Sequence, residues 1–252
     1  MLVLAHLSDI HIDDSPRSAA RARSVLRYLE ALPFDLDAVL VTGDITDHGL
    51  PREYELARRI LTSRHPVLTC PGNHDDRAAY REVLLGEPAA EDPAAPVNRV
   101  RRIGRAVIAL CDSTVPGTSP GRLDQDTCAW LADVLDETPA DTPVLIAFHH
   151  PPATLHHPFI DGIRQFDTEP LAALVAAHPN VVGLLCGHAH TAAATTFAGR
   201  PLLVAPGVVS TLRLPWEQGA EFMLDPSHPP TVAFHVLDED NRLTTHYRTV
   251  MD

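Results

Sequence analysis

The chain has 252 residues, 45% of them hydrophobic, which is enough for a large core and suits one domain of a layered α/β fold. Its formal charge of −13, with histidines neutral, repels polyanions and so argues against a nucleic-acid partner or a membrane surface held by a basic patch, while small anionic substrates stay open if cations offset the charge locally. No apolar run is long enough to span a bilayer, and Met1 to Leu7 lacks the basic residues of a signal peptide.

Leu2 to Leu7 is dense and apolar, the pattern of a buried strand. Arg17 to Ala31 sets Ala22, Val25, Leu26 and Leu29 on one helical face. Ala38 to Val41 is a second buried strand running into Gly43-Asp44, and Pro51, suited to a first turn, opens a helix to about Leu61. Pro66 to Cys70 is a third strand, and a helix covers roughly Arg77 to Leu85. Gly86 to Pro96, rich in Pro, Ala and acids, reads as a surface loop. Val97 to Ile103 and Ala106 to Leu110 pair about Gly104. A helix begins at Asp124 with Trp130, Leu131, Val134 and Leu135 on one side, and a strand from Val144 to Phe148 delivers His149. Thr168 starts a helix with Leu171, Leu174 and Val175 as its apolar face, and Val181 to Cys186 is a strand that delivers His188 and His190. From Ala192 helices cease, and Ala193 to Phe197, Pro201 to Ala205, Thr231 to Leu237 and Leu243 to Tyr247 read as strands. The order predicts two packed sheets with helices on their outer faces. No repeat or linker divides the chain, so residues 1–252 are expected to form a single domain with a β-rich portion from about 192.

Five segments carry chemistry: Asp9-Ile10-His11, Gly43-Asp44, Gly72-Asn73-His74-Asp75, His149-His150 and Gly187-His188-Ala189-His190. Each follows a predicted strand, which would gather the side chains at one sheet edge. Alone, the first two are weak signals in a chain with 15 histidines. The Gly-Asn-His turn and the i, i+2 histidines are more specific, and the five in this order are strong. They offer the Asp, Asn and His donors that divalent first-row metals take. Two such cations suit phosphate esters, because they neutralise the oxygens that repel a nucleophile and lower the pKa of a shared water. An alkoxide leaves poorly without a proton, and His74, next to Asn73, is within reach to supply one. His149 and His150 are adjacent, so only one can be a ligand if the strand continues.

From Leu4 to about Pro206 the sequence resembles the calcineurin-like metallophosphoesterase family. Within it, Val41-Thr42-Gly43-Asp44-Ile45-Thr46-Asp47-His48-Gly49, Pro71-Gly72-Asn73-His74-Asp75 and His149-His150-Pro151-Pro152 are similar to bacterial class III cyclic-nucleotide phosphodiesterases and the glycerophosphodiesterases close to them. The resemblance implies a four-layer α-β-β-α sandwich of two mixed β-sheets flanked by helices. It implies one metal at Asp9, His11, Asp44 and His190 and a second at Asp44, Asn73, His149 and His188, with Asp44 bridging. It favours His149 over His150, which would lie behind the ligands or at the pocket mouth. His74 would be catalytic and not a ligand, and Asn73 and His74 would contact substrate. The implied reaction is hydrolysis of 3′,5′-cyclic nucleotides, cAMP foremost, through a metal-bridging hydroxide. The alternative is a glycerophosphodiesterase or broad small-diester phosphodiesterase, and the non-enzyme rival is a metal-free interaction scaffold. Iron, manganese and zinc all suit the mixed donors. The related enzymes often dimerise, which leans the expectation toward a homodimer paired through the β-rich C-terminal segment.

The remaining polar residues read more blandly. Asp47 and His48 are expected to be loop residues, and Asp75 a helix N-cap. His6, His65, His178, His228, His235 and His246 are expected to be surface or structural. His156, His157, Arg213 and Trp216 are secondary candidates for a substrate pocket walled by Pro152 to Phe166 and Arg213 to Glu221. Cys70, Cys111, Cys128 and Cys186 form no CxxC pair and read as reduced core thiols, all but Cys128 ending or adjoining strand-like runs, which fits a cytoplasmic location.

Overall fold

Short apolar runs, buried on both faces, decide the architecture, because such strands need cover on both sides. The structure, a computed structural model, describes residues 1–218 and 223–251. In chain order its elements are β1 (Leu2–Leu7), α1 (Pro16–Glu30), β2 (Ala38–Thr42), α2 (Pro51–Ile60), β3 (Val67–Cys70), α3 (Arg77–Ala79) continued by a π-helical stretch (Tyr80–Leu85), β4 (Arg99–Ile103), β5 (Ala106–Leu110), α4 (Gln125–Glu137), β6 (Val144–Ala147), α5 (Pro158–Ile163), α6 (Glu169–Ala177), β7 (Val181–Cys186), β8 (Ala193–Phe197), β9 (Arg200–Val204), β10 (Thr211–Leu212), β11 (Leu224–Asp225), β12 (Thr231–Leu237) and β13 (Leu243–Thr249).

One sheet has the order β13-β12-β1-β2-β3 and the other β4-β5-β6-β7-β9-β8. Both are mixed: β1, β2 and β3 run parallel, as do β5, β6, β7 and β9, while β12, β13, β4 and β8 pair antiparallel at the margins. Leu4, Leu40 and Leu68 of the first sheet meet Ile108, Leu145 and Leu185 of the second in a shared core. On the outer face of the first sheet, Ala5, Val39 and Val41 pack with Val25 and Leu29 of α1 and Ala57 of α2. On the outer face of the second, Ile146 and Leu184 pack with Leu131 of α4 and Leu171 of α6. The result is the expected four-layer α-β-β-α sandwich of two mixed sheets.

The parallel strands β1, β2 and β3 of one sheet and β6 and β7 of the other all end in loops that carry the singled-out segments. Ligand sites in open α/β sheets form outside the carboxyl ends of strands. Two elements escaped the sequence reading: the short helix α5 and the two-stranded sheet of β10 and β11. The helix expected over 77–85 exists, but only its first residues are α-helical. Arg77 and Arg81 on that segment donate to carbonyls of residues 93–96, so the Pro-rich surface loop is pinned to it. Among the described residues, no helix is long and apolar enough to cross a membrane.

Candidate metal centre

Strong local constraint marks the site before any chemistry is considered. Asp9, His11, Asp44, His188 and His190 all adopt positive φ, between 47° and 68°. Side chains other than glycine seldom sit there, and such strain collects at functional sites. Gly43, at φ 86°, and Gly72 allow the close approach of the loops: a Cβ on Gly43 would overlap the His149 ring, and one on Gly72 would overlap the Asp44 backbone and carboxylate.

These loops bring the sequence-predicted residues together. His11, Asp9 and His190 form one group with donor atoms within 4.8 Å, and Asp9, Asp44 and His149 form another. Asp44 Oδ2 lies 3.4 Å from His11 Nε2 and 3.3 Å from His149 Nε2, between the two groups. His190 Nε2 lies 3.5 Å from Asp9 Oδ1 and 3.2 Å from His11 Nε2. His188 Nδ1 lies 3.1 Å from His149 Nε2.

The outward nitrogen of each imidazole explains its orientation. His149 Nδ1 donates to the Thr42 carbonyl at 2.7 Å, and His188 Nε2 donates to the Ile163 carbonyl at 3.1 Å. His11 Nδ1 meets Asp47 Oδ1 at 2.8 Å, and His190 Nδ1 meets Ser210 Oγ at 2.9 Å. Where such a ring is neutral with its proton on the outward nitrogen, as a metal ligand requires, the other nitrogen points a lone pair inward, at carboxylate oxygens and at other lone pairs. That crowd of acceptors is repulsive unless something positive sits among them. Two further acceptors, Asp9 Oδ1 and Asn73 Oδ1, are buried with no hydrogen-bond partner. Buried acceptors are seldom left unpaired. The donor set thus fits cations.

The acid–base balance responds to the same crowding. Burial acts to lower the His149 pKa, yet the Asp44 carboxylate overrides it and pushes it up to about 9. Burial, joined by the His149 charge, drives His188 down to about 3. Burial alone would raise Asp44, but His149 and His11 hold it well below the usual carboxylate range.

His150 packs against His149 and His188, with ring centroids 4.8 Å and 4.6 Å from theirs, but it differs from them in its partners. Its Nδ1 meets Ser113 Oγ at 2.8 Å and its Nε2 donates to the Ser119 carbonyl at 3.1 Å, so both nitrogens are engaged behind the site. His74 is half-exposed, its backbone N–H donates to Asp44 Oδ1 at 2.9 Å, and its Nδ1 donates to the Asp47 carbonyl at 2.8 Å. Its Nε2 is the atom left to offer a substrate.

Asp47 is a polar loop residue beside the site, as expected, and its carboxylate meets His11 while its carbonyl accepts from His74. One bland expectation needs correction. Asp75 is not the helix N-cap. Asp76 is, accepting from Ala79 N at 2.8 Å. Asp75 instead accepts from the backbone N–H groups of Ile45, Thr46 and Gly72 and from Tyr54 Oη, which ties the Asp44 loop to the Asn73 loop. The signal for this was the burial of both loops, which one sequence does not display.

A cavity of about 540 Å³ opens on the centre. His11, Asp44, Asn73, His74, His188 and His190 line one side, and Phe159, Ile160, Ile163 and Leu212 supply an apolar wall. The predicted pocket loops are therefore partly right in position but wrong in residue. His156 is exposed, and His157 caps α5 and meets the Arg213 carbonyl. Arg213 pairs with Asp225, and Trp216 is exposed to solvent. Residues 219–221 of that second loop lie outside the described residues. His6 and His235 are buried and hydrogen-bonded to each other at 2.9 Å, in line with a structural role.

Residues 2–192 match the family described as calcineurin-like phosphoesterase. The chain belongs to the calcineurin-like phosphoesterase family. Among relatives of this family, it is 33% identical over 218 residues to a glycerophosphodiester phosphodiesterase from Enterobacter lignolyticus, covering 82% of this chain and 78% of the relative. It is 32% identical over 223 residues to a cAMP/cGMP dual specificity phosphodiesterase from Mycobacterium tuberculosis, covering 83% and 68%. A solved dimetal phosphatase from Danio rerio has the same fold, with a TM-score of 0.70 over 99% of both chains at 16% identity.

Proposed function

We propose that this calcineurin-like phosphoesterase is a phosphodiesterase with two metal ions, and that 3′,5′-cyclic nucleotides, cAMP foremost, are its substrates. The observation that carries the reading is the ring of inward donors around Asp44 Oδ2, with Asp9 Oδ1 and Asn73 Oδ1 buried and unpaired. In this assignment Asp9, His11, Asp44 and His190 hold one ion, and Asp44, Asn73, His149 and His188 hold the other. Iron, manganese or zinc would neutralise the phosphate oxygens and activate water near neutral pH.

The chain's own residues do the rest. Thr42, Ile163, Asp47 and Ser210 fix the ring orientation of the four histidine ligands, which keeps their lone pairs inward. His74 touches substrate. With Nδ1 held by the Asp47 carbonyl, a protonated ring presents Nε2–H to the departing alkoxide. Asn73 would contact the phosphate as well as hold the metal through its buried, unpaired Oδ1. The preference for cyclic nucleotides rests on the apolar wall of the cavity over the metal centre: a nucleobase packs there, whereas a glycerol arm leaves it wet. Likeness to the dual specificity phosphodiesterase supports this reading. Likeness to the glycerophosphodiester phosphodiesterase supports a second one, broad hydrolysis of small diesters by the same residues. We further take residues 1–252 to act as one domain in the cytoplasm, where the buried, unpaired thiols of Cys70, Cys111 and Cys186 would stay reduced.

Asp44→Ala and Asn73→Ala should each abolish hydrolysis of bis(p-nitrophenyl) phosphate and lower bound metal. Full activity in either variant sinks the site assignment. The ratio of kcat/KM for cAMP to that for glycerophosphoethanolamine, with manganese, then decides between the two substrate readings.

A further inference from the structure

A second cavity, of about 360 Å³, adjoins the metal centre. It shares Asn73 and His74 with the larger cavity, and no other lining residue is common to both. The two spaces thus diverge from the side chains assigned to the phosphate. Two loops wall the smaller one, Pro93-Ala94 and Val115 to Gly117, with Asp76 at its edge.

These walls are fixed by a buried ion pair that the metal chemistry does not use. Arg77 Nε lies 2.8 Å from Asp112 Oδ2, and both side chains are buried. The same guanidinium donates to the carbonyls of Ala94 and Thr114, one from each wall. Asp112 in turn accepts from Thr114 N at 2.8 Å and Val97 N at 2.9 Å. A charged pair taken out of water is a poor source of stability. Here it holds two loops at a set separation, which leaves the cavity formed in advance of any ligand.

A phosphodiester carries two ester arms. A 3′,5′-cyclic nucleotide folds both into one ribose ring, so with its base on the apolar wall nothing extends into the smaller cavity. An acyclic diester has a second arm that leaves phosphorus in another direction. We propose that the smaller cavity is a subsite for this second arm, so that an acyclic diester is seated across both cavities with its phosphate at Asn73 and His74. This rests on the phosphodiesterase reading above. The reaction balances as hydrolysis: the oxygen of one water joins phosphorus, the bond to one arm breaks, and the net proton released by the water ends on that arm's oxygen, leaving a monoester and an alcohol.

The test uses manganese-loaded protein and two phosphinates, which have no ester bond to cut. Bis(2-hydroxyethyl)phosphinate has both arms, and methyl(2-hydroxyethyl)phosphinate has one. Calorimetry should show the two-armed compound binding about tenfold tighter, the gain expected from one well-packed arm. Ala94→Trp and Val115→Trp, at exposed and half-exposed positions that tolerate bulk, should each remove that advantage. In both variants kcat/KM for glycerophosphoethanolamine should fall about tenfold, with cAMP hydrolysis changing less than about twofold. The proposal is overturned if the wild type shows no two-arm advantage, or if the advantage survives in both variants at unchanged Tm. A two-arm advantage in a protein that hydrolyses no diester would keep the subsite and sink the phosphodiesterase reading instead.

Discussion

Asp47 makes two contacts that pull in one direction. Its carboxylate fixes the tautomer of His11, and its carbonyl fixes that of His74. Burial acts to lower the His11 pKa, but the Asp47 hydrogen bond and the nearby carboxylates raise it. Such outer partners of a ligand matter by about 10–100-fold in metal affinity, so Asp47→Ala should weaken manganese binding by that range in calorimetry, with Asp47→Asn recovering part of it. Unchanged affinity would mean that His11 is oriented by packing alone. His74 is expected to behave differently. As a proton donor it contributes about 10²–10⁴-fold, and only where the leaving group needs a proton. His74→Ala should therefore slow cAMP hydrolysis far more than that of bis(p-nitrophenyl) phosphate, whose phenolate leaves unaided; equal losses on the two substrates would remove it from the acid role. His74 was legible in the sequence because it adjoins Asn73. Asp47 was not, because its partner His11 is 36 residues away and only the fold closes that distance.

At the level of elements, legibility followed the length of the patterned run. β2, β5 and β6 are unbroken apolar runs buried along their whole length, and the sequence placed each to within a residue or two. α5 has six residues and the short strands β10 and β11 two each, too few to establish a period, so neither was seen. The two acids of Asp75-Asp76 look alike as caps. Which one caps depends on where the chain enters the helix, and which one is buried depends on the loop carrying Asp44. That loop is held against Gly72 with no room for a Cβ. Gly72→Ala should push Asp44 from its place between His11 and His149. Overpacking of this kind destabilises by about 1–3 kcal/mol, so both Tm and metal content should drop. A variant with normal metal content would show that the two loops move apart freely.

Across the whole molecule, the first sheet carries a buried polar row as well as its apolar ones, and it crosses four strands. His6 of β1 meets Thr42 Oγ1 at 2.8 Å and His235 Nε2 at 2.9 Å, and His235 Nδ1 meets Thr245 Oγ1 at 2.8 Å. Burial pushes His235 down to about 3, and burial with the charge of His235 lowers His6 well below its ordinary value. His150, His188 and His190 are likewise lowered, mainly by burial. An unfolded chain takes up these protons near pH 6.5, whereas the folded chain refuses them. Their contribution to stability is thus complete above about pH 6.5 and is lost as the pH falls below it, for His235 all the way to about pH 3. His149, raised to about 9, has the opposite sign: its stabilising charge is fully present below about pH 6.5 and is lost as the pH climbs through 9, so it adds no slope below pH 6.5. Between pH 6.5 and 5 the lowered histidines therefore govern the slope. Each contributes up to about 1.4 kcal/mol per pH unit, so urea unfolding should give a midpoint that falls steeply over that interval. His235→Gln keeps a donor and an acceptor for His6 and Thr245 but cannot take up a proton. It should remove about one proton's share of the slope. A variant with the wild-type slope would mean that His235 is protonated in the folded sandwich, and that this buried row of the first sheet admits a charge.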